Sequence, residues 1–349
     1  MKILIIQQKM IGDVLTSSIL FEALHHKFPE AQLDYLINQH TYPVVENNPF
    51  INNFVFFTKN EELSKKALFG LARKVKQNNY DVVIDVYSKL SSNIISVFSK
   101  AKKRISYHKF YSTPFYHHNI KRQKITDKKS ELAIVNRLQL LRPLGIETTS
   151  IKPKIYLTEE EIATSKQFLK NHHVDFNKPI YMISVLGSGE NKTYPFPYMA
   201  KVIDLIVKET KGQILFNYIP KQAPDAKAIY DLCLAETQNH ISFHVFGKSL
   251  REFLAITHHC NALIGNEGGA VNMAKALNIK TFTIFSPWID KATWSLFEDE
   301  DNMSVHLKDF KPELFSKPEK ELKKEALSLY NKFSPELIEH KLKAFLKTL

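Results

Sequence analysis

Cysteine is nearly absent from this chain. Its 349 residues include two, Cys233 and Cys260, each inside an apolar, helix-like pattern. Two thiols so placed read as buried and reduced, and they exclude a disulfide framework and a cysteine-based metal site. Long apolar runs are also missing, since nothing approaches the roughly 20 residues needed to span a bilayer. The first apolar run, Ile3–Ile6, is short and polar residues follow it at once. No signal peptide is therefore expected, and a cytoplasmic location is. There is no low-complexity tract and no short repeat. Acids are scarce in one place. Residues Lys100 to Lys129 hold ten Lys or Arg and a single acid, Asp127, and supply +9 of the formal net charge of +12. A segment this basic suggests an anionic partner, whether nucleic acid, phospholipid headgroups or a phosphorylated glycan, or else a solvated loop. No RNA- or DNA-binding motif accompanies it, which weighs against nucleic acid.

What is present is ordinary globular material: 44% hydrophobic and 24% charged residues, in a chain long enough for two domains. Apolar runs and amphipathic stretches alternate, the pattern of parallel sheets with crossover helices. In the first half the expected strands are Ile3–Ile6, Gln32–Ile37, Phe54–Phe57, Asp81–Tyr87 and Arg104–Tyr107. The expected helices are Asp13–Lys27, Glu61–Gln77, Leu90–Ser99 and Ser130–Leu141. A connector, Ile151 to Lys178, carries a short helix from Thr158 to Asn171, with Thr158 and Glu161 as a capping box. The second half repeats the alternation. Its strands are Tyr181–Val185, Gln213–Tyr218, Ile241–Phe246, Ala262–Gly265 and Thr281–Phe285. Its helices fall near Tyr198–Lys208, Asp225–Glu236, Leu250–His258 and Gly269–Leu277. The tail from Pro318 is helical and splits near Ser334-Pro335. The expectation is an α/β protein of two facing Rossmann-like domains, residues 1–157 and 158–333. A final helix, 334–349, is expected to pack back on the first domain. Ligand is expected in the cleft the two domains leave.

Three loops could carry chemistry. The first follows Ile3–Ile6 and holds Gly12 and Asp13. In a doubly wound sheet this loop faces the binding crevice, so Asp13 is either catalytic or a first-turn acid favoured by the helix dipole. The second is Gly265-Asn266-Glu267-Gly268-Gly269. Glycines at a helix start expose N–H groups that suit a phosphate or diphosphate, although the same residues also make a tight strand-to-helix turn. Their spacing matches neither a dinucleotide fingerprint nor a Walker loop. The third runs from Leu186 to Lys192, where Gly187 and Ser188 can approach a ligand and Lys192 is a point charge for a leaving diphosphate or a solvated lysine.

Taken in order, I-L-I-I-x4-I-G-D-V-L-T-S-S, D-V-V-I-D-V at 81–86, G-N-E-G-G-A-V-N-M-A-K-A-L-N and T-I-F-S-P resemble glycosyltransferase family 9, the heptosyltransferases of lipopolysaccharide core assembly. The resemblance covers nearly the whole chain. It implies a GT-B fold, with the acceptor held by the first domain and a nucleotide-sugar donor, typically ADP-heptose, by the second. It implies inverting transfer without a metal or other cofactor, onto Kdo or heptose of a lipid A-type acceptor. Asp13 falls at the family's catalytic carboxylate, with Gly12 beside it on the acceptor side. Lys192 falls at its donor-phosphate lysine, and Gly187 and Ser188 in the loop before it. Gln222 is the nearest match to an acid beside the nucleoside, and Glu267, Gly268, Gly269 and Asn272 complete the donor set. Two motifs depart from the family. D-x-G-x-x-H reads Glu267 to Asn272 here, with Glu for Asp and Asn for His. D-x-Q-G reads Asp85-Val86-Tyr87-Ser88. Within the resemblance, Lys102, Lys103, Arg104 and Arg122 are assigned to the phosphates of an anionic glycolipid acceptor and to an anionic inner-membrane surface, where the protein would sit peripherally. A non-catalytic family member, and one with another sugar donor, are the alternatives.

Overall fold

The computed structural model describes residues 1–124, 132–148 and 150–349. The chain divides into two compact units, Met1–Tyr156 and Leu157–Leu349. Ser130, where a helix was expected to begin, and Lys129, the end of the basic segment, lie outside the described residues.

The first unit is built on six parallel strands: β1 (Lys2–Ile6), β2 (Gln32–Asn38), β3 (Asn53–Phe57), β4 (Val82–Asp85), β5 (Lys103–Tyr107) and β6 (His118–Ile120), in the order β3-β2-β1-β4-β5-β6. Ile3 to Ile6 are wholly buried, because a strand inside a parallel sheet is covered on both faces and so reads as an unbroken apolar run. The expected long first helix is two, Ile11–Ser17 and Ile19–Lys27. Glu61–Gln77 likewise divides at Ser64, whose side chain accepts from Ala67 N and caps the second helix.

The second unit holds β7 (Ile180–Ser184), β8 (Gln213–Phe216), β9 (Ala262–Asn266), β10 (Lys280–Ile284) and β11 (Asn302–Val305), also parallel, in the order β11-β10-β9-β7-β8. The helix Glu159–Asn171 carries the expected capping box. One expectation fails here. Ile241–Phe246 is not a strand, and only Ile241 makes a bridge, to Ile214. Its Phe243 turns instead onto the rings of Phe216, Tyr218 and Tyr230. The last helix, Pro335–Leu346, packs within the second unit. Ile338, Leu342 and Phe345 form one apolar stripe in the core of the second, with Phe345 5.6 Å from Phe282 and Lys343 paired to Glu209.

In an open parallel sheet, ligands bind outside the carboxyl ends of the strands where the strand order reverses. That point is between β1 and β4 in the first unit and between β7 and β9 in the second.

Candidate functional site

Asp13 sits at the first of these points, in the opening turn of the helix after β1. Its Oδ1 accepts from Arg137 Nη2 at 2.6 Å. Arg137 is buried and fixed by further bonds to Ser17 Oγ (2.9 Å) and the Ala133 carbonyl (3.0 Å). The side chain of Asp13 is 33% exposed and that of Arg137 11%. The acid is thus open on one side and held on the other. The facing loop after β4 is pinned by buried Asp85, which accepts from Ser88 N (2.7 Å) and Tyr116 Oη (2.5 Å). Burial pushes the Asp85 carboxyl up, against those hydrogen bonds. Both loops hold a non-glycine residue at positive φ, Met10 at 67° and Ser88 at 51°. Such strain, of order 1–3 kcal/mol each, persists where the surroundings over-determine the backbone.

The basic segment divides. Lys102, Lys103 and Arg104 lie at the amino end of β5, the opposite edge of the sheet from Asp13. Arg104 is occupied locally, donating to the carbonyls of Phe115 and Ala101. Arg122 follows the carboxyl end of β6, on Asp13's edge. Its guanidinium lies 4.0 Å from the Tyr107 ring centre, and Tyr107 feels the charges of both Arg137 and Asp13. Of the four acceptor cations expected from sequence, Arg122 alone shares this edge.

In the second unit the loop after β7 folds back on itself. A Cβ at Gly187 would lie 2.2 Å from the Lys192 carbonyl oxygen, so glycine is required there. Asn266, at the end of β9, bridges the two loops: its Oδ1 accepts from Tyr194 N (2.7 Å) and its Nδ2 donates to the Ser184 carbonyl (2.9 Å). Gly268, at φ 148°, opens the helix Gly269–Ala276, and Asn272 lies in its first turn. Lys192 Nζ is 3.3 Å from Glu267 Oε1, an ion pair without hydrogen-bond alignment. Burial pushes the Glu267 carboxyl up from the usual range, and the Lys192 charge opposes that. Gly187, Ser188 and Gln222 line a cavity of about 670 Å³ together with Tyr194, Asp225 and Tyr330, within the ordinary range for a small-ligand site.

Sequence reasoning missed several residues. Arg137 was invisible because 124 positions separate it from Asp13. Asp225, three residues past Gln222, brings a carboxylate into the cavity. Trp288, next to the Ser-Pro of the last motif, donates to the Asn191 carbonyl. Lys192 and Lys323 both approach its ring, at 5.5 and 4.8 Å. The Trp288 signal was readable in the sequence, but that of Lys323, on a charged tail helix, was not. Among the described residues no group of three or more His, Cys, Asp or Glu side chains could hold a metal ion, and no helix is long and apolar enough to cross a membrane.

The family model for glycosyltransferase family 9 (heptosyltransferase) matches residues 68–322. Over 295 residues the chain is 24% identical to a lipopolysaccharide heptosyltransferase 1 of Campylobacter coli, covering 82% of this chain and 84% of that one. A glycosyl transferase family 9 structure from Veillonella parvula superposes with a TM-score of 0.75, at 17% identity over 95% of this chain and 97% of that one. An E. coli heptosyltransferase solved with ADP-2-deoxy-2-fluoro heptose gives 0.65, at 15% identity over 87% and 93%. The shared fold is GT-B, two Rossmann-like units with parallel sheets.

Proposed function

This chain belongs to glycosyltransferase family 9, and from that premise we propose that it moves a heptose from a nucleotide-diphosphate sugar such as ADP-heptose to an anionic lipopolysaccharide-core acceptor, with inversion and without a metal ion. The acceptor hydroxyl attacks the anomeric carbon as the bond to the diphosphate breaks. Asp13 Oδ2, the oxygen not held by Arg137, takes the hydroxyl proton. The departing diphosphate gathers negative charge. Lys192 and the amides at Gly268 and Gly269 meet that charge in place of a metal. Asp225 and Gln222, which line the second unit's cavity, take the ribose hydroxyls of the nucleoside in this reading. Arg122, with Lys121 beside it, meets acceptor phosphates.

The observation that carries this reading is Asp13, an open carboxylate oriented by a buried arginine at the first sheet's switch point. Glu267 and Asn272, where the family pattern has Asp and His, favour a second reading in which the chemistry is kept and the sugar differs. A panel of nucleotide-sugars with a deacylated core acceptor tests both. The expected product is a heptosylated acceptor of inverted anomeric configuration by NMR, formed equally well with EDTA present. Transfer only from a non-heptose donor selects the second reading, and no transfer from any donor rejects both.

The natural acceptor is anchored in lipid, so the enzyme works at an anionic membrane surface.

A further inference from the structure

The five large apolar side chains of the first unit exposed beyond half are Met10 (67%), Leu63 (86%), Leu90 (74%), Phe110 (96%) and Tyr111 (59%), among the described residues. They come from four different connections, those following β1, β3, β4 and β5: Met10, Phe110 and Tyr111 lie in loops, Leu63 ends the helix Lys59–Leu63 and Leu90 opens the helix Leu90–Phe98. Because the sheet is parallel, all four connections begin along its carboxyl edge, the edge that carries Asp13.

Contacts tie these connections together. Lys9, beside Met10, pairs with Glu62, beside Leu63. Ser91, beside Leu90, donates to Gln8 at 2.6 Å. Lys109, beside Phe110, donates to the Ser88 carbonyl. The apolar tips are therefore held in one rim by their polar neighbours. Exposed cations flank them: Lys59, Lys65, Lys66 and Lys89. The acids on this edge are each matched: Glu62 by Lys9, Glu61 by the Thr58 amide it caps, and Asp13 by Arg137. Solitary exposed apolar residues need no explanation. Five on one edge, interleaved with lysines and joined by polar contacts, mark an interaction surface.

We propose that this rim is the membrane-docking surface of the protein: Met10, Leu63, Leu90, Phe110 and Tyr111 enter the headgroup boundary of an anionic phospholipid layer while the lysines face the lipid phosphates. Apolar tips with a basic surround are the combination that holds a protein on such a surface without spanning it. Apolar side chains standing at separate points among lysines favour this over a protein partner, because they offer points of insertion rather than a groove or flat apolar face. The inference deepens the reading above, since docking on this edge turns Asp13 toward a lipid-anchored acceptor. It also moves the membrane contact away from Lys102 and Lys103, which lie on the opposite edge.

The test is co-sedimentation of the full chain with phosphatidylcholine vesicles, with and without phosphatidylglycerol. The wild-type chain is expected to bind the phosphatidylglycerol vesicles, more weakly at high salt. The variant L63S/L90S/F110S is expected to lose about tenfold or more in partition, with an unchanged melting temperature because these side chains contribute no core. K102A/K103A is expected to bind as wild type. The proposal is overturned if the triple variant binds like wild type, if the wild-type chain binds neither vesicle, or if the triple substitution abolishes a dimer in light scattering while vesicle binding persists. Vesicle binding needs no donor or acceptor. Turnover of a deacylated, water-soluble acceptor, expected to be equal in wild type and the triple variant, reports separately on the transfer reading.

Discussion

Each unit places one ion pair at its switch point, and the two pairs are built in opposite senses. In the first, the cation is buried and the acid is open: Arg137 is 11% exposed and Asp13 33%. In the second, the acid is buried and the cation is open, with Glu267 at 10% and Lys192 at 29%. In the function proposed above, the open member of each pair would meet substrate and the buried member would set its position or charge. One edge would then serve deprotonation of an acceptor and the other a diphosphate. Glu267, in that reading, is the internal counter-charge of Lys192, which an incoming diphosphate would displace or outcompete.

The largest effect is expected at the open acid. Asp13→Asn should lower kcat by about 10²–10⁴-fold while the fold and the melting temperature stay intact. Arg137→Ala comes next, because a base displaced by about 1 Å can lose ~10²-fold in rate. In an Asp13→Asn background the Arg137 change should cost little more, and full additivity in single-turnover rates would break the pairing. Lys192→Ala should weaken the donor in kcat/KM by about 10–100-fold, the worth of a charge-assisted hydrogen bond. Glu267→Gln should tighten nucleoside diphosphate binding a few-fold, on the order of ~1 kcal/mol for a partly screened charge. The sign follows from burial. The carboxyl titrates above the usual range, so a falling pH neutralises it there, frees Lys192 and strengthens diphosphate binding. Calorimetry across pH should show that rise in the wild-type chain and a flatter profile in Glu267→Gln. Lys323→Ala should be smallest, about two- to fivefold in donor KM, since an exposed cation over an indole is worth little.

The sequence disclosed what local pattern controls. Buried parallel strands announce themselves as apolar runs, so β1, β2, β7 and β9 were legible to within a residue or so. β6, His118–Ile120, is three half-buried residues inside a basic stretch and gives no such signal. Ile241–Phe246 has the composition of a strand, but its aromatics pack on Tyr218 and Tyr230 and leave a single bridge. Asp13 and Lys192 could be singled out as candidates because each follows a strand with glycine nearby and falls on a motif of the family the chain resembles. Their partners could not be. Arg137 comes from a helix 124 residues away, and the Glu267 pairing depends on how two separate loops fold. The basic segment divides for a related reason. Charge can be counted along a chain, but the edge of the sheet on which each lysine emerges is decided by strand direction. That puts Lys103 and Arg122 at opposite ends of neighbouring strands.

The opposed pairs are tested most directly by titrating ADP calorimetrically into Asp13→Asn and Lys192→Ala side by side. The account predicts a Kd like that of wild type for Asp13→Asn and one weaker by about tenfold or more for Lys192→Ala. Equal losses in both variants, or an unchanged Kd for Lys192→Ala, would contradict it.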